Sequence, residues 1–217
     1  SMIRFSGATP VPMQLQEDTG YHPDLAQLPS LITNNTRLII LNSPENPCGS
    51  NLTHAELEKI ANIVRQHPNM YIMSDEIYKD ILYTDSHNSI VAFPGMSEKT
   101  IILDGFSKSY AMTGWRLGYG IMPTDLVPHI SRLAVNSVSC AASFSQIAAI
   151  AALEGPQDDV ESMVTEFAIR RTLISEGLRS IPNINCPEPE GAFYAFPSIK
   201  NLGLTSSEFE DRSLREA

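Results

Sequence analysis

Asp104-Gly-Phe-Ser-Lys-Ser-Tyr-Ala-Met-Thr-Gly-Trp-Arg-Leu-Gly-Tyr119 is the stretch that decides how the rest of this chain reads. It follows residues 100–103, Thr-Ile-Ile-Leu, a run with the length and the isoleucines of a buried strand. Lys108 therefore falls in the loop just past a strand's carboxyl end, which is where open α/β sheets bind ligands. A lysine held there, among glycine, serine and aromatic neighbours, is partly desolvated. Desolvation favours the neutral amine that attacks a carbonyl to form a Schiff base.

Two earlier units repeat the same pattern. Residues 36–41 read as a buried strand, and Asn42-Ser-Pro-Glu-Asn-Pro-Cys-Gly49 stops it, because its prolines and glycine force a turn. Thr53 then opens a helix with Glu56 three residues on, a capping box, and Leu57, Ile60, Ala61 and Val64 share one face. Residues 70–73 form the next strand, followed by Ser74-Asp-Glu-Ile-Tyr78. Strand, polar loop and helix make up the unit of a parallel sheet. Three such strands deliver Asn46, Asp75 and Lys108 to one sheet edge. A further strand is expected over 117–122, antiparallel because so little chain separates it from the last.

The flanking segments are less informative. Ile3 and Phe5, then Val11, Met13 and Leu15, alternate as a short strand would, and 24–32 reads as a short helix. A helical pattern runs from 124 to about 135. A second helix starts at Ser143, with Gln146 completing another capping box, and ends at Gly155-Pro156. A long helix over 158–180 carries an apolar stripe that includes Val160, Met163, Val164 and Phe167, a packing face. Residues 192–196 read as a strand, and Ser206 or Ser207 begins a last helix. There is no internal repeat.

Composition narrows the function. The chain has 217 residues, 42% of them hydrophobic, which is enough to bury a real core, and a net charge of −10 that disfavours nucleic acid or an anionic membrane as partner. Cys48, Cys140 and Cys186 form no C-x-x-C pair, so neither a disulfide framework nor a zinc site is expected, and a reducing cytoplasm fits. Apolar runs are too short to span a bilayer, and the first residues show no signal-peptide pattern. His22, His54, His67, His87 and His129 form no ligand pair and read as surface or packing residues. Gly118-x-Gly120 is followed by Pro123 where a dinucleotide fingerprint needs glycine, and no G-x-S-x-G turn occurs.

Ser107-Lys108, followed by Gly114-Trp-Arg-x-Gly-Tyr119, resembles the cofactor-lysine segment of the class I/II aminotransferases, the aspartate-aminotransferase-like enzymes of PLP-dependent fold type I. The resemblance extends to Asn46-Pro-Cys-Gly49, similar to the family's Asn-Pro-Thr-Gly with Cys48 in place of threonine, and to the Asp-x-x-Tyr formed by Asp75 and Tyr78. It implies an αβα layered fold around a mostly parallel sheet, the large domain of the PLP-dependent transferases, in incomplete form. It also implies that the cofactor is pyridoxal 5'-phosphate, joined to Lys108 as a Schiff base. Asp75 would pair with the protonated ring nitrogen, while Tyr78 and Asn46 would contact the ring oxygen. Arg116 and Ser107 would hold phosphate, and Lys108 would move the α-proton of the substrate. Gly105 stands where several relatives carry a phosphate-binding serine, and a backbone amide is the substitute expected there.

The resemblance covers nearly the whole chain, but the family pattern runs past both ends of it. Residues 1–185 correspond to the central part of the large cofactor-binding domain and 186–217 to the start of the C-terminal small domain. The segments that would carry the ring-stacking aromatic residue and the substrate-carboxylate arginine lie outside the sequence. The expected activity is transfer of an amino group from an amino acid to a 2-oxo acid, with a homodimer as the full-length form. The alternatives are a lyase of the same fold and a catalytically inactive fragment that binds cofactor or a partner chain.

Overall fold

The computed structural model describes residues 2–84 and 86–216. A four-residue helix α1 (Met2–Phe5) precedes a small antiparallel pair, β1 (Leu15–Gln16) and β2 (His22–Pro23), which turns at Gly20 with φ +70°. The alternation expected to make one strand of residues 3–15 thus yields helix at one end and two strand residues at the other. Pro10 and Pro12 interrupt the segment between, and neither can donate to a ladder. A single helical turn, α2 (Leu28–Leu31), then leads into the main sheet.

That sheet has the order β3-β4-β5-β6, with β3 (Leu38–Asn42), β4 (Tyr71–Asp75), β5 (Thr100–Gly105) and β6 (Gly118–Ile121). The first three are parallel and β6 is antiparallel to β5, as the short connection requires. In register, Asn42 lies opposite Asp75 and Asp75 opposite Leu103, so β3 and β4 end together while β5 runs two residues further, to Gly105, paired there with β6. Helix α3 (His54–Arg65) crosses over between β3 and β4. Its Leu57, Ile60, Ala61 and Val64 are buried with Leu41 and Ile72 of the sheet in the largest core cluster, which fixes which face α3 covers. The opposite face leaves Leu38 and Ile40 more than 40% exposed. The capping box forms as expected: Thr53 Oγ1 accepts from the Glu56 amide at 3.3 Å, and Glu56 Oε2 accepts from the Thr53 amide at 2.8 Å.

Three further helices follow, α4 (Val127–Ser137), α5 (Ser143–Glu154) and α6 (Asp158–Arg179). The second capping box is absent. Ala142 occupies the N-cap, Ser143 is already helical, and Gln146 Nε2 donates instead to the Ala141 carbonyl at 2.9 Å. Ala149 of α5 packs on Phe106 and Met112, while Met163, Val164 and Phe167 of α6 pack on Tyr78, Ile81 and Ala192. Both helices therefore brace the loops at the strand ends. The first turn of α6 is acidic and its last turn carries Arg179, matching the helix dipole. A last helix, α7 (Ser206–Glu216), starts with a Thr205–Glu208 capping pair.

Residues 192–196 do not form a strand. Gly191 makes only an isolated bridge with Leu82, and Ala192 turns the backbone with φ +58°. Close packing explains the difference. A Cβ on Gly191 would lie 2.7 Å from the Pro44 side chain, and one on Gly49 would lie 2.8 Å from Pro189. The amides of Glu190 and Gly191 both donate to the Gly49 carbonyl, at 2.8 and 3.0 Å. The 189–194 segment is thus locked against the 44–49 loop on one side, while the Ala192 amide donates to the Ile81 carbonyl and the Glu190 carbonyl accepts from the Tyr83 amide, both at 2.9 Å, so its backbone groups are divided between two loops instead of forming a ladder.

The histidines also divide. His54 packs on Phe93, in keeping with a packing role, but His22 sits between Glu56 and Glu190, and His87 Nε2 lies 2.9 Å from the buried Glu76. His22 is thus a charge partner within the fold, and His87 a hydrogen-bond partner of Glu76.

Candidate active site

The polar loops at the carboxyl ends of β3, β4 and β5 meet around Tyr78. The Asn42 side chain organises the first of them: its Oδ1 accepts from the Asn46 amide at 2.7 Å, and its Nδ2 donates to the Asp75 carbonyl at 3.2 Å. One asparagine thereby ties the Asn46 turn to the end of β4. The Asn46 side-chain amide in turn donates to the Tyr78 hydroxyl at 3.5 Å. Lys108 Nζ lies 5.5 Å from the Tyr78 ring centroid and 5.5 Å from that of Phe193. Asn46, Tyr78 and Lys108 are therefore gathered at one point, with Asp75 three residues before Tyr78 on the same strand end.

Asp75 is half-buried, and among the described residues its side chain accepts only from the Ile77 amide, at 3.3 Å. Burial, followed by the negative charges of Asp104 and Glu76, pushes its carboxyl above the ordinary range. Among the described residues no cation pairs with it. Burial above all also raises the Tyr78 phenol, so that at neutral pH it keeps the proton that a donor needs.

The loop carrying Lys108 is anchored from behind. Ser109 Oγ donates to Asp80 Oδ2 at 2.7 Å, Thr113 Oγ1 donates to the Ser107 carbonyl at 2.8 Å, and the Gly105 amide donates to Asp104 Oδ1 at 2.7 Å. Asp104 is nearly fully buried and also binds Lys79 and the Tyr119 hydroxyl. The Gly105 amide is thus committed to Asp104. A serine side chain there is excluded as well, since a Cβ on Gly105 would meet the Gly118 Cα at 2.8 Å.

Arg116 and Ser107 lie on the same loop as Lys108. Arg116 has φ +53°, and among the described residues its guanidinium donates only to the Thr113 carbonyl, at 3.1 Å, leaving most of its donors for another group. The loop groups match the donor set that an aromatic aldehyde phosphate requires: an amine, a cation-seeking carboxylate, two donors close together, and an arginine fork with a hydroxyl. No group of three or more His, Cys, Asp or Glu suited to a metal ion occurs among the described residues.

The sequence of residues 1–217 matches the family described as aminotransferase class I and II. The chain belongs to the class I and II aminotransferase family. Members of this family use pyridoxal 5'-phosphate. Among its relatives is an aspartate aminotransferase of Musicola paradisiaca, 40% identical over 94% of this chain and 51% of the relative. Another is an arginine–pyruvate transaminase of Pseudomonas aeruginosa, 36% identical over 96% of this chain and 53% of the relative. The crystal structure of an aromatic aminotransferase from Pyrococcus horikoshii superposes with a TM-score of 0.94 at 37% identity, covering 99% of this chain and 58% of that one. The chain thus spans about half the length of the relatives that it matches.

Two residues at the site escaped the sequence reading. Phe193 stacks on Phe167 and faces Lys108, and the Tyr194 hydroxyl lies 2.5 Å from that of Tyr78. Both follow Gly191-Ala192, and that small pair was the available signal: close backbone approach, with two aromatic residues immediately behind it.

Proposed function

We propose that this aminotransferase-family chain supplies the cofactor-holding core for transfer of an amino group from an amino acid to a 2-oxo acid. Bound pyridoxal phosphate would supply an aldehyde and a protonated ring that withdraws electrons from the α-carbon of the substrate. Lys108 is the amine that meets the aldehyde and afterwards holds and returns the α-proton. Asp75 keeps the ring nitrogen protonated. A buried carboxylate without a cation gains most from such a partner. Asn46 and Tyr78 orient the ring through its oxygen, and Arg116 with Ser107 fixes the phosphate end.

The observation that carries this reading is the gathering of Asn46, Tyr78 and Lys108 beside a cation-free Asp75. In this reading residues 1–185 belong to the cofactor domain and 186–217 open a second one. The relatives include one named for aspartate and one named for arginine with pyruvate, and the substrate class common to both is an amino acid with a 2-oxo acid. Three free cysteines support a reducing, cytoplasmic setting, and no helix among the described residues is long and apolar enough to cross a membrane.

The test is to load the chain with pyridoxal phosphate and supply an amino acid panel with 2-oxoglutarate. Formation of glutamate, with a matching 2-oxo acid, supports transfer. Ammonia without glutamate supports the lyase alternative, and neither product in a chain that binds the cofactor supports a non-catalytic role.

A further inference from the structure

The hydroxyls of Tyr78 and Tyr194 lie 2.5 Å apart, and the two rings meet edge to face with centroids at 5.6 Å. The Asn46 amide reaches the same Tyr78 oxygen at 3.5 Å. A phenol has one proton to give and an oxygen that can accept two. Asn46 Nδ2 can only donate, so it takes one of the accepting positions. The Tyr194 hydroxyl has no other hydrogen-bond partner among the described residues. If it accepts from Tyr78, the single Tyr78 proton is consumed inside the pair and Tyr78 gives nothing to a ligand. If it donates, Tyr78 accepts from both neighbours, and its proton is free for a third group.

We infer that Tyr194 is a positioning residue that donates to Tyr78 and thereby aims the Tyr78 proton at the ring oxygen of the cofactor. This rests on the proposed cofactor role of the site. The placement of Tyr194 is built into the fold. Gly191 fits against Pro44, and the Glu190 and Gly191 amides bind the Gly49 carbonyl, so the segment bearing Tyr194 is held to the loop that bears Asn46. Phe193 and Phe167 close the far side by ring stacking. A chain of hydrogen bonds, Tyr194 to Tyr78 to ligand, polarises each successive donor and strengthens the last one.

With pyridoxal phosphate held at Lys108, a Tyr78 donor aimed at the ring oxygen would stabilise negative charge there and so would lower the pH at which the Lys108 nitrogen gives up its proton. Removing the Tyr194 hydroxyl weakens the donor and raises that pH.

The experiment is a spectrophotometric pH titration of the visible band in the pyridoxal-phosphate-loaded chain, for wild type, Tyr194→Phe, Tyr78→Phe and the double variant, with Lys108→Ala as the control lacking the band. Tyr194→Phe is expected to move the midpoint upward by roughly 0.5–1 pH unit. Tyr78→Phe moves it further, and the double variant coincides with Tyr78→Phe because Tyr194 acts only through Tyr78. A role confined to packing would lower the thermal midpoint and leave the titration in place. An unmoved midpoint in Tyr194→Phe, or a double variant displaced beyond Tyr78→Phe, overturns the inference alone. If wild type shows no Lys108-dependent band, the cofactor reading falls and the inference falls with it.

Discussion

His22→Ala removes the ion that joins the β1–β2 pair to α3 and to the 189–194 segment. In the wild type, Nδ1 lies 2.9 Å from Glu56 Oε1 and Nε2 lies 3.2 Å from Glu190 Oε2. The hydrogen bond to Glu190, then that to Glu56, pushes the imidazole from 6.5 up to about 10. At ~1.4 kcal/mol per pH unit, that displacement sets a ceiling of roughly 5 kcal/mol on the cluster's contribution. The side chains are 18%, 16% and 35% exposed for His22, Glu56 and Glu190, so solvent screening and desolvation reduce it to about 2 kcal/mol. A basic group with a raised folded-state pKa stabilises fully below its ordinary value and loses that contribution as pH rises through the folded value. Both glutamates are shifted downward, Glu190 chiefly by its bond to His22, so their share is present above the ordinary carboxylate range and is lost in acid. The stability difference between wild type and His22→Ala, from urea unfolding followed by far-UV circular dichroism, should peak near pH 5–6.5. It should decline steadily as pH rises above 6.5 and vanish by about pH 10, the folded-state value. A difference that is flat from pH 6 to 10, or that grows with pH, would refute the assignment of a charged His22.

Other outcomes follow from the same geometry. Asp75→Asn should stabilise the cofactor-free chain at pH 7 in urea unfolding, since a carboxylate raised by burial costs stability above its ordinary pKa and ceases to below it; the same variant should bind pyridoxal phosphate more weakly, measured by equilibrium dialysis. Gly191→Ala places a Cβ 2.7 Å from Pro44, and should cost about 1–3 kcal/mol in urea unfolding while weakening cofactor binding, because the Tyr194 segment must move. Thr53→Ala deletes the α3 cap and should cost ~1 kcal/mol with cofactor affinity unchanged.

The sheet and the main loops were legible because each rests on local chemistry. The apolar runs at 38–41, 71–73 and 100–103 are bounded by turn-forming residues, and the Thr53–Glu56 box marks where α3 begins. Asn46, Asp75 and Lys108 could be placed on one edge because parallel strands end on the same side. The misreadings were of residues whose structure is decided far along the chain. Residues 192–196 have strand composition, yet Gly191 against Pro44 and Gly49 turns them aside. Ser143 and Gln146 have capping-box spacing, but Ala142 takes the cap and Ser145 bonds the Trp115 carbonyl at 3.1 Å, so the turn is set by contact with the lysine loop. Tyr194 could not be paired with Tyr78 by any local rule, since 116 residues separate them.

The central claim is that the edge of the sheet presents one particular amine to an aromatic aldehyde. Its most direct test is to add pyridoxal phosphate, reduce with borohydride, and map the modified lysine by peptide mass spectrometry among Lys59, Lys79, Lys99, Lys108 and Lys200. Label confined to Lys108, and lost when Asn46 and Tyr78 are both replaced by alanine, is the outcome expected. Label spread over several lysines, or unchanged by those replacements, would contradict the account.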